Sequence, residues 1–313
     1  MTPPASGLPP AILAQAQAAL AARAEPATGR FLGVSSMAAL LFLMDRARGG
    51  DDDAARLAFS VLRRTPGDVV ASACAAAAAE AAVHVAAVDL RRDGGLARTA
   101  RDAIDAALKA FGWGDDREED HGRERQGTDA HGLMIATLAR ASLVLDAPGY
   151  REAATRAGEH ALDHRVDAKW GTLLHVGGEV GWPARLGDYA LLVLGLRELL
   201  SATGEKGWLH EAVRLQGEQE ERLGDAADGG YFQWPEGAGR VPNKDGSDGA
   251  LVSGNGTAAL NLIELARLTG ERSYRERAGR LLGAFAPDVT REPLTHLTLL
   301  RAAERLERAS SGA

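Results

Sequence analysis

Short links alternate with long ones along this chain, and that alternation constrains the fold more than any other feature. Apolar residues recur at three- and four-residue spacing in twelve segments, roughly 10–23, 36–48, 53–63, 68–90, 96–111, 129–146, 148–163, 184–203, 205–223, 251–269, 271–286 and 294–308. The run Leu133, Ile135, Leu138, Ala141, Leu145 is typical. After the second, fourth, sixth, eighth and tenth segments the link is short, as in Gly49-Gly50-Asp51-Asp52 and Thr203-Gly204. Short links between helices force antiparallel neighbours. Before the sixth, eighth and tenth segments the links are long, near 112–128, 164–183 and 224–250.

A faint repeat accompanies the alternation. Tyr150, Trp208 and Tyr274 each follow a short link and open an outer helix, with Leu96 at the same point in a weaker copy. The spacing is about 54 to 66 residues, longer than common solenoid units. Six helical hairpins with alternating links predict an all-α (α/α)6 toroid, with small β-hairpins in its rim loops. An open solenoid is the competing reading; it would have uniform loops and polar caps. The expected layout is a flexible start at 1–9, one barrel domain over 10–309 and a flexible end at 310–313.

Composition agrees. Alanine, the best helix former, makes up roughly a fifth of the chain, while β-branched residues are sparse. The formal charge is −7, from 36 basic and 43 acidic residues. Neither a nucleic-acid surface nor an anionic-membrane surface is expected from that balance. No run reaches 18 apolar residues free of charge, and the N-terminal stretch has no Lys or Arg before Arg23. A cytoplasmic protein without a signal peptide or membrane span is therefore expected. The single cysteine, Cys74, excludes an intramolecular disulfide and a CxxC centre. Alanine neighbours predict that it is buried and inert.

The inner helices would start at the rim that carries the long loops. Polar residues gather at those starts: Asp129 and His131, Asp188 and Tyr189, Ser253 and Asn255. Each suits a helix cap when taken alone; their convergence suggests a pocket. Paired carboxylates are the minimum for glycoside hydrolysis, and histidines can move protons in an epimerase or isomerase. The expected roles are Asp188 and Asp129 as acid/base carboxylates, His131 as proton shuttle, and Glu179 or Asp248 as an acid from a loop. His175 is a second histidine suited to proton transfer. Ser253, Asn255, Asp248 and Tyr189 would bond a ligand. Trp182, Tyr231 and Trp234 would offer flat faces to a sugar ring, unless they form an apolar plug. Helix N-termini carry partial positive charge, so carboxylates there are expected to stay ionised. Asp188→Asn is then expected to cost little beyond a cap. Asp115–Asp120 resembles an acidic magnesium motif, but mixed charge continues to Arg125 and no second motif follows. No metal or cofactor is expected; there is no HExxH, P-loop, dinucleotide glycine pattern or GxSxG.

Three stretches carry a resemblance. They are Thr128-Asp129-Ala130-His131-Gly132-Leu133-Met134, Arg185-Leu186-Gly187-Asp188-Tyr189-Ala190, and Asp248 to Leu262 through Ser253-Gly254-Asn255-Gly256-Thr257. From about residue 127 onward the chain resembles the YyaL / spermatogenesis-associated-protein-20 family. The resemblance implies a six-hairpin glycosidase-type barrel, similar in layout to N-acylglucosamine 2-epimerases. It also marks departures. The family's thioredoxin-like CxxC has no counterpart in the sequence. Its polar His-Phe-Glu-Lys-Met-Leu-Tyr-Asp helix is matched approximately by Val69 to Ala76, where small and apolar residues replace the charged and aromatic ones. Two functional expectations follow. One is a glycosidase- or epimerase-like protein that acts on or binds a small sugar-like ligand. The other is a degenerate, non-catalytic barrel that binds a small molecule or a protein. A homo-oligomer stays open in both.

Overall fold

The structure is a computed structural model and describes residues 6–9, 11–25, 31, 33–62, 73–113, 126–167, 169, 171–177 and 182–311. Among them are twelve α-helices. They are α1 (Ile12–Arg23), α2 (Ser36–Arg48), α3 (Asp52–Leu62), α4 (Ala73–Leu90), α5 (Gly94–Phe111), α6 (Thr128–Val144), α7 (Pro148–His164), α8 (Leu186–Thr203), α9 (Lys206–Leu223), α10 (Gly254–Thr269), α11 (Arg272–Arg291) and α12 (Leu297–Ser311). A two-stranded antiparallel sheet, β1 (Leu174–Val176) with β2 (Trp182–Pro183), lies in the α7–α8 link. Hairpin order, helix count and the rim strands agree with the sequence pattern. The fold class is the (α/α)6 barrel. The acidic run Asp115–Asp120 and Glu179 lie outside the described residues.

The chain forms two compact units. One comprises Met1–Pro66, Leu223–Gln233 and Asn243–Ala313; the other comprises Gly67–Arg222 and Trp234–Pro242. In the first, α12 packs on α2, and α10 packs on both α11 and α12. The chain's two ends meet there, in contrast to the separated ends of a solenoid. Ser6 donates to the Glu307 carboxylate through its backbone N–H and its hydroxyl, both at 3.0 Å. Asp45 of α2 is buried and accepts from Arg301 at 2.9 Å, from Arg305 at 2.9 Å and from Arg48 at 2.8 Å. Burial works to raise this carboxyl's pKa. The three guanidiniums outweigh it and hold Asp45 well below the usual carboxylate range.

In the second unit α6 is the central helix. It is buried on every side from Thr128 through Ala139 and packs on α4, α7 and α8. Two glycines permit its contact with α8. A Cβ on Gly132 would run into the backbone of Leu191 and Leu192, and one on Gly195 would stand 2.8 Å from the Gly132 carbonyl. Backbone therefore rests on backbone, which no larger residue at either position allows. That approach sets the first turn of α6 beside the first turn of α8. Cys74 of α4 is buried, and its thiol donates to the Ala110 carbonyl at 3.1 Å. Burial pushes that thiol's pKa up, away from the reactive thiolate.

α11 runs through Pro287 to Arg291, five residues beyond the sequence expectation. Its extension carries Val289, 1% exposed, so apolar burial continues past the proline. Gly112, Gly204 and Gly270 close α5, α8 and α10 in the left-handed conformation expected of C-caps.

Candidate functional site

The site grows from one carboxylate at the start of α8. Asp188 is fully buried. Its Oδ2 accepts the N–H of Arg185 at 2.8 Å, the backbone half of a capping box on its own helix. Its Oδ1 accepts the N–H of Asp129 at 2.9 Å, an orphan donor in the first turn of α6. One side chain thus caps two helices. The same carboxylate holds His175 Nδ1, at 2.9 Å to Oδ1 and 3.1 Å to Oδ2. Burial pushes the Asp188 carboxyl above its ordinary range; the His175 hydrogen bond opposes that shift and the Asp129 charge adds to it. The burial of this carboxylate is the feature that the sequence did not show.

His175 is the centre of the arrangement. It sits in β1, with 22% of its side chain exposed. With Nδ1 donating to Asp188, the neutral ring presents Nε2 as a lone pair, the form a general base needs. Among the described residues no protein group bonds Nε2. The strand beneath is fixed from three directions. Thr128 Oγ1 donates to the carbonyls of Leu174 at 2.7 Å and His175 at 3.1 Å. Arg165, 1% exposed, donates to the carbonyls of Gln126 and His175. Glu218 of α9 accepts the Leu173 N–H at 2.9 Å and the Tyr189 hydroxyl at 2.6 Å. Gly127 closes against the ring: a Cβ there would stand 2.6 Å from His175 Cε1 and against the Asp129 carboxylate.

Asp129 completes the cluster. Its Oδ1 accepts the Ala130 N–H at 2.7 Å, and its Oδ2 accepts Arg185 Nη2 at 2.6 Å. One atom each of Asp129, His175 and Asp188 fall within 4.8 Å of one another, a span suited to a divalent cation. The directions of the bonds argue otherwise. Backbone N–H groups, an imidazole N–H and a guanidinium already face these oxygens, and Arg185 supplies the positive charge a cation would bring. The donor set fits an oriented histidine better than a metal.

The other expected residues take different places. His131 is fully buried, edge-on to Trp113 at 5.3 Å and 3.3 Å from Arg165 Nη2. It is a packed core histidine, not a group at an open site. Tyr189 is 1% exposed, and its hydroxyl buttresses Glu218; burial, and then that carboxylate, push its pKa up. Trp182 is 62% exposed on β2. Trp234 is half-buried beneath the Arg240 guanidinium, 5.3 Å from its ring centre.

In the other unit, the Asn255 amide is spent on backbone. It accepts the Tyr231 N–H at 2.9 Å and donates to the Tyr231 and Asp245 carbonyls, each at 3.0 Å. Tyr231 is itself 2% exposed, so its ring is core and not a stacking face. Ser253 caps α10 by accepting the Gly256 N–H at 3.1 Å. Asp248 accepts from Ser253 N–H, Thr298 N–H and the Thr298 hydroxyl, which caps α12. Burial pushes its carboxyl up. These four residues hold loops to helices.

This fold is that of the six-hairpin glycosidases and sugar epimerases. Over 186 residues the chain is 33% identical to Spermatogenesis-associated protein 20 of Homo sapiens, a match that covers 55% of this chain and 24% of that protein. The match thus spans about a quarter of the relative's length. Cellobiose 2-epimerase of Bacteroides fragilis is 25% identical over 197 residues, which cover 58% of this chain and 49% of that enzyme. Among solved structures, an inactive variant of an alpha-1,6-mannanase from Salegentibacter, in complex with alpha-1,6-mannotetrose, superposes with a TM-score of 0.68. That likeness covers 95% of this chain and 98% of that one at 14% identity. No family model matches the chain. Among the described residues no helix is long and apolar enough to cross a membrane.

Proposed function

We propose that this chain is a carbohydrate-active protein that moves a proton on a small sugar-like ligand, with His175 as the acid/base group and Asp188 as the carboxylate that orients it. One observation carries the reading: His175 is gripped at Nδ1 by a fully buried carboxylate while Nε2 meets no protein group among the described residues. A base must be held in one tautomer and still reach its substrate. His175 meets both conditions, whereas Asp188 has no open face. This supports epimerase- or isomerase-type chemistry over hydrolysis by two carboxylates. A glycosidase pair needs free oxygens on both sides of a glycosidic bond, and those of Asp129 and Asp188 are taken up by N–H donors. Trp182 is the aromatic face beside this hairpin.

A second reading, a non-catalytic sugar-binding or partner-binding barrel, is favoured by α4, whose first turns are nearly all alanine where the resembling family is polar. The test is to incubate the protein with a panel of aldoses and disaccharides and follow the products by NMR. The proposal expects an epimer or ketose to form and to vanish in His175→Asn with the fold intact. Sugar binding without turnover in the wild type would favour the second reading.

A further inference from the structure

We propose that the ligand taken at His175 is an anionic sugar, bearing a carboxylate or a phosphate, and that its acidic group seats on the free edge of Arg185. The inference rests on the functional reading above, since it assigns a ligand class to that same site. Arg185 stands at the N-cap of α8 with 39% of its side chain exposed. Nη2 donates to Asp129 Oδ2 at 2.6 Å. Among the described residues no acceptor meets Nε or Nη1. A guanidinium is a rigid planar fork of five N–H donors, and here one corner is fixed by a carboxylate. The fork is therefore oriented before any ligand arrives, and its remaining donors suit the paired oxygens of a carboxylate or phosphate.

Charge points the same way. Asp129 and Asp188 are balanced by Arg185 and by Arg165, which is buried beneath the His175 strand. The site therefore carries no excess of negative charge that would repel an anion. A neutral sugar leaves the Arg185 edge to water, whereas an anion uses it. Arg185 thus acts as the specificity-determining residue and His175 as the proton-transfer group.

The test is isothermal titration of the full chain with D-glucuronate, D-glucose 6-phosphate and D-glucose. The proposal expects at least one anion to bind roughly tenfold or more tightly than glucose. Arg185→Gln is expected to bring the ratio of anion to glucose affinity, measured in that same variant, down to about one. Arg185→Lys keeps a charge beside Asp129 and is expected to lose several-fold of the preference through loss of the fork. The wild type itself supplies a control that needs no variant: the preference must shrink as salt screens the pair. Stronger binding of glucuronate assigns a carboxylate, and stronger binding of glucose 6-phosphate assigns a phosphate. Equal affinity for glucose and both anions, lost in His175→Asn, would overturn the anionic assignment and leave the functional reading standing. Binding of none of the three, with none of the sugar panel bound or turned over, would overturn both.

Discussion

Asp188 shows how much one side chain can be asked to do. It caps α8 through Arg185, caps α6 through Asp129 and orients His175. The sequence identified it as a residue of the site but not its burial, which only the partner helix reveals. His175 was the harder residue to single out, because a lone histidine in a long loop carries no pattern; its significance comes from Asp188, 13 positions on. Asp188→Asn follows from this geometry. An amide keeps one acceptor but turns its NH2 toward an N–H of Arg185 or Asp129, donor against donor. A buried donor left unsatisfied costs about 1–3 kcal/mol, more than the cap alone. Urea denaturation of Asp188→Asn should show a loss of that size, whereas His175→Asn, whose amide can still donate to Asp188, should lose less. Equal stability losses in the two would contradict the division of labour.

At the level of elements, α6 and α8 place the site. Their contact is legible in part: Thr128 to Met134 and Arg185 to Ala190 stand out in the sequence, and the helix bounds agree with the periodicity to within a few residues. The closeness is not legible, because a glycine inside a helix reads as a weak position until the facing backbone is known. Gly132→Ala supplies the test. The added methyl must push α8 away from α6, and overpacking of this kind costs about 1–3 kcal/mol. The same displacement separates Asp129 from Asp188, so a stability loss accompanied by loss of sugar turnover is expected. An alanine variant with unchanged denaturation would show that the helices have room. The sites expected on α10 resolve differently. Ser253, Asn255 and Asp248 are hydrogen-bonding residues by type, and the structure uses that capacity for caps and a loop clamp. Residue type alone could not separate the two uses.

At the scale of the molecule, the ring of hairpins was the most legible property, because link length can be counted without knowledge of contacts. What joins the chain's ends was not, since Asp45 reads as one charge among many on α2. Two of its three guanidinium partners, Arg301 and Arg305, lie far along the chain, on α12. That cluster gives the protein an acid sensitivity of defined sign. The folded-state pKa of Asp45 lies below its value in the unfolded chain, ordinarily 3.8. The group's contribution is therefore fully present above that value and is lost as pH falls below it toward the folded value. Urea midpoints should drop between about pH 4 and pH 2 in the wild type by more than in Asp45→Asn. That variant should already be destabilised at neutral pH by about 3–5 kcal/mol, because Arg301 stays buried without its counter-ion. Parallel pH profiles for the two proteins would remove Asp45 from the account. Proton transfer by His175, held by Asp188, would leave a mark in the sugar: deuterium taken up from D2O at the carbon next to the carbonyl of an aldose or of an anionic sugar. Incorporation is expected with the wild type and none with a folded His175→Asn variant. Undiminished incorporation in that variant, or none in the wild type with any sugar offered, would contradict it.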